Sequence, residues 1–369
     1  MIYLDNAATS FPKPRIVIKE VERCLKKYCG NPGRSGHRLS LAAAESIYET
    51  REEICKLVNW SSPDSVCFTQ NATHALNIAI KGIIRDEGDC LISDLEHNSV
   101  IRPLYKQKQI YGGNILVFRT DIPLRQAVSG VITDRTKYMV STLSSNVTGK
   151  VIDIKELSSI ARENNLKLIL DASQYIGHHP LDLSGVAFDA LCAPGHKALF
   201  GIQGSGFLII GNQASEIPTL LDGGSGSGSL DTAMPLLLPE RFEAGTLSTP
   251  SIISMRYGIK YIESIGQTEI ENKIRFLTQT LLDRLSNIKN IQQLGCENGI
   301  CALNIYGQSS ETVSAYLDSC GICVRGGLHC SPLIHRRLGT ASSGAVRVSL
   351  SVLNTKKDID KLYQALSSI

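Results

Sequence analysis

The chain reads as an α/β protein, with a mainly parallel sheet flanked by helices and then a smaller α/β unit. Three observations predict this. Between residues 66 and 210 seven short apolar runs alternate with helical segments, the pattern of parallel strands joined by crossover helices. Two neighbouring runs lead into reactive side chains, Leu168-Ile169-Leu170 into Asp171 and Ala190-Leu191-Cys192-Ala193 into Pro194-Gly195-His196-Lys197, and open α/β sheets place their ligands at such strand ends. At 369 residues the chain is too long for one simple core and suits a large domain with a smaller one.

Taken in order, residues 15–29 and 40–58 have the apolar spacing of helices, with Ser40 as N-cap of the second. Between them, Gly30-Asn31-Pro32-Gly33-Arg34-Ser35-Gly36-His37 is too rich in Gly and Pro for regular structure. The strand-like runs follow at 66–68, 89–92, 114–117, 138–140, 167–170, 190–192 and 206–210. After the first of them, Asn71-Ala72-Thr73 opens a helix over 74–80. Gly223-Gly224-Ser225-Gly226-Ser227-Gly228-Ser229 has the composition of a flexible linker. Beyond about 265, a long helical stretch leads to a strand at 299–306 and a helix at 310–317. Strands at 322–325 and 345–350 and a closing helix from Lys356 complete the chain.

Apolar residues make up 43% and charged residues 20% of the chain, as in an ordinary soluble globular protein. The formal charge of +3 implies neither a nucleic-acid nor a membrane partner. Met1-Ile2-Tyr3-Leu4-Asp5 lacks a basic leader, and no run approaches the roughly 20 apolar residues of a membrane span, so a cytoplasmic location is expected. Eleven cysteines are scattered without paired zinc-binding blocks. Cys320-Gly321-Ile322-Cys323 has half-site spacing, but Cys323 sits in a strand-like run where free Cys packs as a small hydrophobe. Reduced thiols and no metal are expected.

An acid and a lysine at neighbouring strand ends are the pair that pyridoxal phosphate (PLP) needs, the lysine for a Schiff base and the acid to keep the pyridine nitrogen protonated. Taken singly, a strand-end Asp also serves as a helix N-cap, and a Lys after Gly-His as a solvated turn residue. The ordered motifs along the chain add to the pair. Leu4-Asp5-Asn6-Ala7-Ala8-Thr9, Phe68-Thr69-Gln70-Asn71-Ala72-Thr73, Glu96-His97-Asn98, Ser145-Asn146-Val147-Thr148-Gly149, Asp171-Ala172-Ser173-Gln174, Gly195-His196-Lys197, Arg241-Phe242-Glu243-Ala244-Gly245-Thr246 and Arg325-Gly326-Gly327-Leu328-His329-Cys330 have the order and spacing of the class V aminotransferase-like enzymes. Over almost its whole length the chain resembles the cysteine desulfurases of the second group, which includes selenocysteine lyase-type enzymes.

The resemblance implies PLP-dependent fold type I. A large domain (14–260) would carry a mainly parallel seven-stranded sheet, and 261–369 with 1–13 would form the small C-terminal α/β domain. It also implies that Lys197 carries the cofactor, Asp171 faces the pyridine nitrogen, Gln174 reaches the phenolic oxygen, and His97 stacks on the ring and relays protons. Ala72, Thr73 and His196 would hold the phosphate, with Thr246 reaching it from a partner subunit of a homodimer. Pro194 departs from the hydroxyl residue found before Gly-His-Lys in many relatives, and offers neither a hydroxyl nor an N–H. The Gly/Ser run then reads as an active-site loop near the dimer partner.

Arg347, in Val346-Arg347-Val348, would grip the substrate α-carboxylate, aided by Asn146, which is also placed for the ring oxygen; Arg325 would form part of the mouth. Cys330, beside His329 and Arg325, would attack the sulfur of L-cysteine and become a persulfide, leaving alanine. Structural alternatives stand beside these roles: a helix cap or core histidine for His97, an internal salt bridge for Arg347, and a spectator thiol for Cys330. The short loop between Arg325 and Cys330 implies a sulfur-acceptor protein that comes to the site. Leu328 departs from the commoner His-His-Cys. The expected activity is PLP-dependent L-cysteine desulfuration. Selenocysteine lyase, another C–S lyase or aminotransferase, and a non-catalytic PLP-binding accessory protein are the rivals.

Overall fold

The structure is a computed structural model that describes residues 1–33, 36–211, 217–228 and 230–369. Arg34 and Ser35 of the Gly/Pro-rich loop and Ser229 of the Gly/Ser run lie outside the described residues. The chain opens with β1 (Ile2–Tyr3), α1 (Arg15–Lys27) and α2 (Arg38–Val58). His37, not Ser40, caps α2, its ring accepting from the Ser40 N–H. Ser40 lies inside the first turn, where its hydroxyl donates to the carbonyl of Asn31 and ties down the preceding loop.

The next stretch runs through β2 (Val66–Thr69), α3 (Ala72–Ile83), β3 (Asp89–Ser93), α4 (Asn98–Tyr111), β4 (Ile115–Phe118) and α5 (Leu124–Ser129). It continues with β5 (Thr136–Thr142), α6 (Ile154–Glu163), β6 (Lys167–Asp171), β7 (Ala190–Pro194) and β8 (Gly206–Ile210). These strands form a seven-stranded sheet of order β2-β8-β7-β6-β5-β3-β4. It is parallel except for β8, which runs antiparallel to both neighbours. Alternate residues of one strand feed two hydrophobic clusters: Leu168 and Leu170 join one, Ile169 the other. Burial on both faces is why these strands read as continuous apolar runs instead of alternating ones.

α8 (Gln267–Leu285) is the helical stretch expected beyond about 265, and before it lies α7 (Thr249–Ile265), which was not singled out from the sequence and which Gly266 ends at φ 94°. Then come β9 (Ile291–Glu297), β10 (Ile300–Ile305), α9 (Ser310–Ser319), β11 (Ile322–Cys323), β12 (Arg325–Gly327), α10 (Pro332–Arg337), β13 (Ala345–Ser349) and α11 (Lys356–Leu366). A four-stranded antiparallel sheet has the order β12-β13-β10-β9, and β1 pairs in parallel with β11. The run 322–325 is thus divided between two sheets. Leu4 packs in a third cluster with residues of α8, β10, α9, β13 and α11. Among the described residues, no helix is long and apolar enough to cross a membrane, and no group of three or more His, Cys, Asp or Glu is placed to hold a metal ion.

Candidate active site

A cavity of about 230 Å³ lies at the carboxyl ends of β5, β6 and β7, bounded by the starts of α3 and α4 and by β12 and β13. Parallel strands end at one edge, so β6 sets Asp171 and β7 leads through Gly195 to His196 and Lys197. Two glycines make the close packing here possible. A Cβ on Gly195 would lie 2.3 Å from the Ser205 hydroxyl oxygen, and one on Gly206 would lie 2.8 Å from the Asn71 Cα at the start of α3. All the site residues singled out from the sequence line the cavity except Cys330 and Thr246.

Lys197 is half-buried, and its amine has no hydrogen-bond partner among the described residues. Burial pushes its ammonium down to about 8; Arg347 and Arg325 add to this and Asp171 opposes it. One Asp171 carboxylate oxygen accepts from the Ser173 N–H at 2.9 Å, and the other is unbonded among the described residues. Gln174 lies in a turn, and its Nε2 donates to the carbonyl of Ala7 at 2.9 Å.

His97 is both the N-cap of α4 and a wall of the cavity. Its Nδ1 accepts from the Ser99 N–H at 3.0 Å, which leaves the proton of the neutral ring on Nε2. Burial, with help from Lys197, pushes its pKa down to about 4, and the same causes act on His196. Asn71 caps α3, and the N–H groups of Ala72 and Thr73 are unbonded among the described residues, as first-turn amides are. The Thr73 hydroxyl meets that of Ser99 at 2.8 Å.

Arg347 is 1% exposed. It forms an internal salt bridge as well as lining the cavity: Nη2 donates to Asp5 Oδ1 at 2.6 Å and Nη1 to the carbonyl of Asn146 at 3.1 Å, while buried Nε is unpartnered. Asn146 lines the cavity, but its side chain bonds to His329 and Ser331. Arg325 lines the exposed side. Cys330 is exposed and follows the lining residue His329. His329 supplies the thiol no positive charge, because burial drives its pKa down to about 3 and its Nε2–H donates to the carbonyl of Ala345. Thr246 is exposed and away from its own chain's cavity. Asp5, Ser99 and Ser173 complete the site without having been singled out. Asp5 lies in a quoted motif, but nothing local joins it to an arginine 342 residues away.

The groups left unpartnered are an amine, a carboxylate oxygen, and two N–H groups at the start of a helix with a hydroxyl beside them. This donor set fits the aldehyde, ring nitrogen and phosphate of PLP. Comparison with known proteins agrees. A protein of Methanothermobacter thermautotrophicus described as "Probable cysteine desulfurase" is 31% identical over 380 residues, covering 100% of this chain and 94% of that protein. The apo structure of a cysteine desulfurase from Thermococcus onnurineus superposes with a TM-score of 0.93 at 28% identity, covering 100% of this chain and 94% of that one. The S-sulfonic acid form of an Escherichia coli cysteine desulfurase shares the fold, with a TM-score of 0.88 at 23% identity over 99% of this chain and 94% of that one. The model of the aminotransferase class-V family matches residues 2–362, and the chain belongs to that family of PLP-dependent enzymes.

Proposed function

We propose that this protein is a cysteine desulfurase that moves the sulfur of L-cysteine to Cys330 and releases L-alanine. The observation that carries the reading is the unpartnered Lys197 amine and Asp171 oxygen in one cavity, with an exposed thiol one residue beyond its wall. Asp171, Gln174 and His97 would hold the ring of PLP, and Ala72, Thr73 and His196 its phosphate. When bound, PLP supplies an electron-withdrawing ring that acidifies the Cα–H of an attached amino acid.

Arg347 and Arg325 orient the substrate carboxylate, the first through the guanidinium N–H donors that Asp5 and the carbonyl of Asn146 leave unused. Lys197 Nζ, neutral above about pH 8, takes the α-proton. His97, with its proton on Nε2, lines the same cavity as that amine and can pass a proton there. Cys330 Sγ attacks the sulfur of the substrate; an S–S bond forms, the C–S bond breaks with its electron pair going to carbon, and that carbon gains a proton. The products are L-alanine and a persulfide on Cys330. A dithiol then releases sulfide, or an acceptor protein takes the sulfur.

The reading extends to a cytoplasmic homodimer in which Thr246 completes the partner's phosphate site, with domains at 14–260 and at 261–369 plus 1–13. Exposed Thr246 and the exposed Leu221, Leu230, Leu236 and Leu237 support the dimer, and Leu4 in the third cluster supports the domain division. The position of Cys330 outside the cavity wall favours one second reading, selenocysteine lyase, in which the thiol matters less. The test is to quantify alanine, sulfide and pyruvate from L-cysteine with a dithiol, for wild type and Cys330→Ala. Equal alanine and sulfide, abolished in the variant, support the desulfurase. Alanine formed equally by both proteins, or pyruvate, overturns the Cys330 step.

A further inference from the structure

Asn146 stands on the cavity wall, yet both polar atoms of its side chain are committed to the cysteine loop. Nδ2 donates to the carbonyl of His329 at 2.8 Å, and Oδ1 accepts from the Ser331 hydroxyl at 2.7 Å. A carbonyl only accepts, so the His329 bond fixes which way the amide faces and obliges the Ser331 hydroxyl to donate. The two bonds bracket Cys330. Asn146, His329 and Ser331 are all buried, so water does not compete for them as it would at the surface.

The loop is held on its other side as well, where the Asn98 N–H donates to the carbonyl of Cys330 at 2.7 Å. His329 and Cys330 both lie in the left-handed region, at φ 51° and 57°. Two successive non-glycine residues persist there only where their surroundings over-determine them. The carbonyl of Asn146 also receives the Nη1 bond of Arg347, so one residue touches both the loop and the buried guanidinium.

We infer that Asn146 is a positioning residue for Cys330: its amide clamps residues 329 and 331, keeping the loop in the left-handed conformation that presents the thiol beside the cavity. Its effect on sulfur transfer rests on the desulfurase reading; the clamp itself does not. A substrate ligand at this position would need its amide free for the carboxylate, whereas a clamp shares its effect with Ser331, which does not line the cavity.

The test uses the PLP-loaded protein and the variants Asn146→Ala, Ser331→Ala and the double variant. Hydrogen exchange is followed over 328–331, and kcat and KM are measured for alanine release from L-cysteine. Ser331→Ala is expected to speed exchange of the loop amides about tenfold and to lower kcat about tenfold with KM unchanged. The double variant should be no worse than Asn146→Ala alone, because both changes open the same clamp. The inference is overturned if Ser331→Ala exchanges and turns over as wild type while Asn146→Ala raises KM. Should Asn146→Ala fail to fold, Ser331→Ala alone decides between these results. If loop exchange responds as expected but Cys330→Ala releases alanine as wild type does, the clamp stands and the desulfurase reading falls.

Discussion

Lys197 and Glu96 show how burial sets the chemistry of single side chains. With its ammonium pushed down to about 8, Lys197 holds a neutral amine from just above neutral pH. Capture of PLP by the cofactor-free protein should therefore accelerate as pH rises, with a midpoint near 8, and Lys197→Ala should trap no PLP after borohydride reduction; absorbance of the reduced adduct checks both. Glu96, fully buried beside His97, accepts from Ser93 and from the Thr142 N–H, while Oε2 has no partner. Burial pushes its carboxyl up from 4.5 to about 8. The folded state thus keeps a proton that the unfolded chain loses above 4.5, so this contribution to stability is complete below 4.5 and is lost as pH rises through 8. Glu96→Gln lacks the titration, and relative to it the cofactor-free wild type should lose on the order of a few kcal/mol over that window, seen as a widening gap between their unfolding midpoints. Asp171, Lys197 and His97 were legible because strand ends and short motifs carry them. Asp5 with Arg347, and Asn146 with Ser331, were not, because each pair is joined only by the folded chain.

Elements differed in how openly the sequence declared them. The strands of the large sheet were legible because burial on both faces demands unbroken apolar runs. β9 was not, because Ile291-Gln292-Gln293-Leu294-Gly295-Cys296-Glu297 is partly exposed along its length and its pairing with β10 slips between Ala302 and Leu303. Asn298-Gly299, at φ 48° and 82°, carries the Asn-Gly hairpin signal that could have revealed it. α2 and β2 are joined to the segment before Thr246 by a buried ion pair in which Arg51 donates to Glu243 at 2.9 and 2.8 Å. Glu243 also accepts from the Phe68 N–H at 2.6 Å. Removing one partner strands the other charge in the interior, so Glu243→Ala should cost about 3–5 kcal/mol, measured as a fall in denaturant midpoint, and should weaken PLP retention by loosening the Thr246 loop.

In the molecule as a whole, the large sheet supplies the amine and the carboxylate, and the smaller sheet supplies Arg325 and Arg347. The cysteine loop follows β12 at their junction. The proposed subunit contribution of Thr246 belongs to this level too, and the sequence of one chain suggests it only through resemblance. Sedimentation should report a dimer of 40.1 kDa chains, and Thr246→Ala should weaken PLP binding about tenfold, roughly the loss of one hydrogen bond to a charged group, without dissociating the dimer. Equilibrium dialysis of PLP and sedimentation of the variant check the two halves. The persulfide joins cavity, loop and thiol in one observable. PLP-loaded protein given L-cysteine in the absence of reductant, then alkylated and digested, should carry one additional sulfur atom on the peptide containing Cys330, with one alanine released per modified chain. Alanine released in that amount without added sulfur on that peptide, or with the sulfur on another of the eleven cysteines, would contradict a mechanism that passes through Cys330.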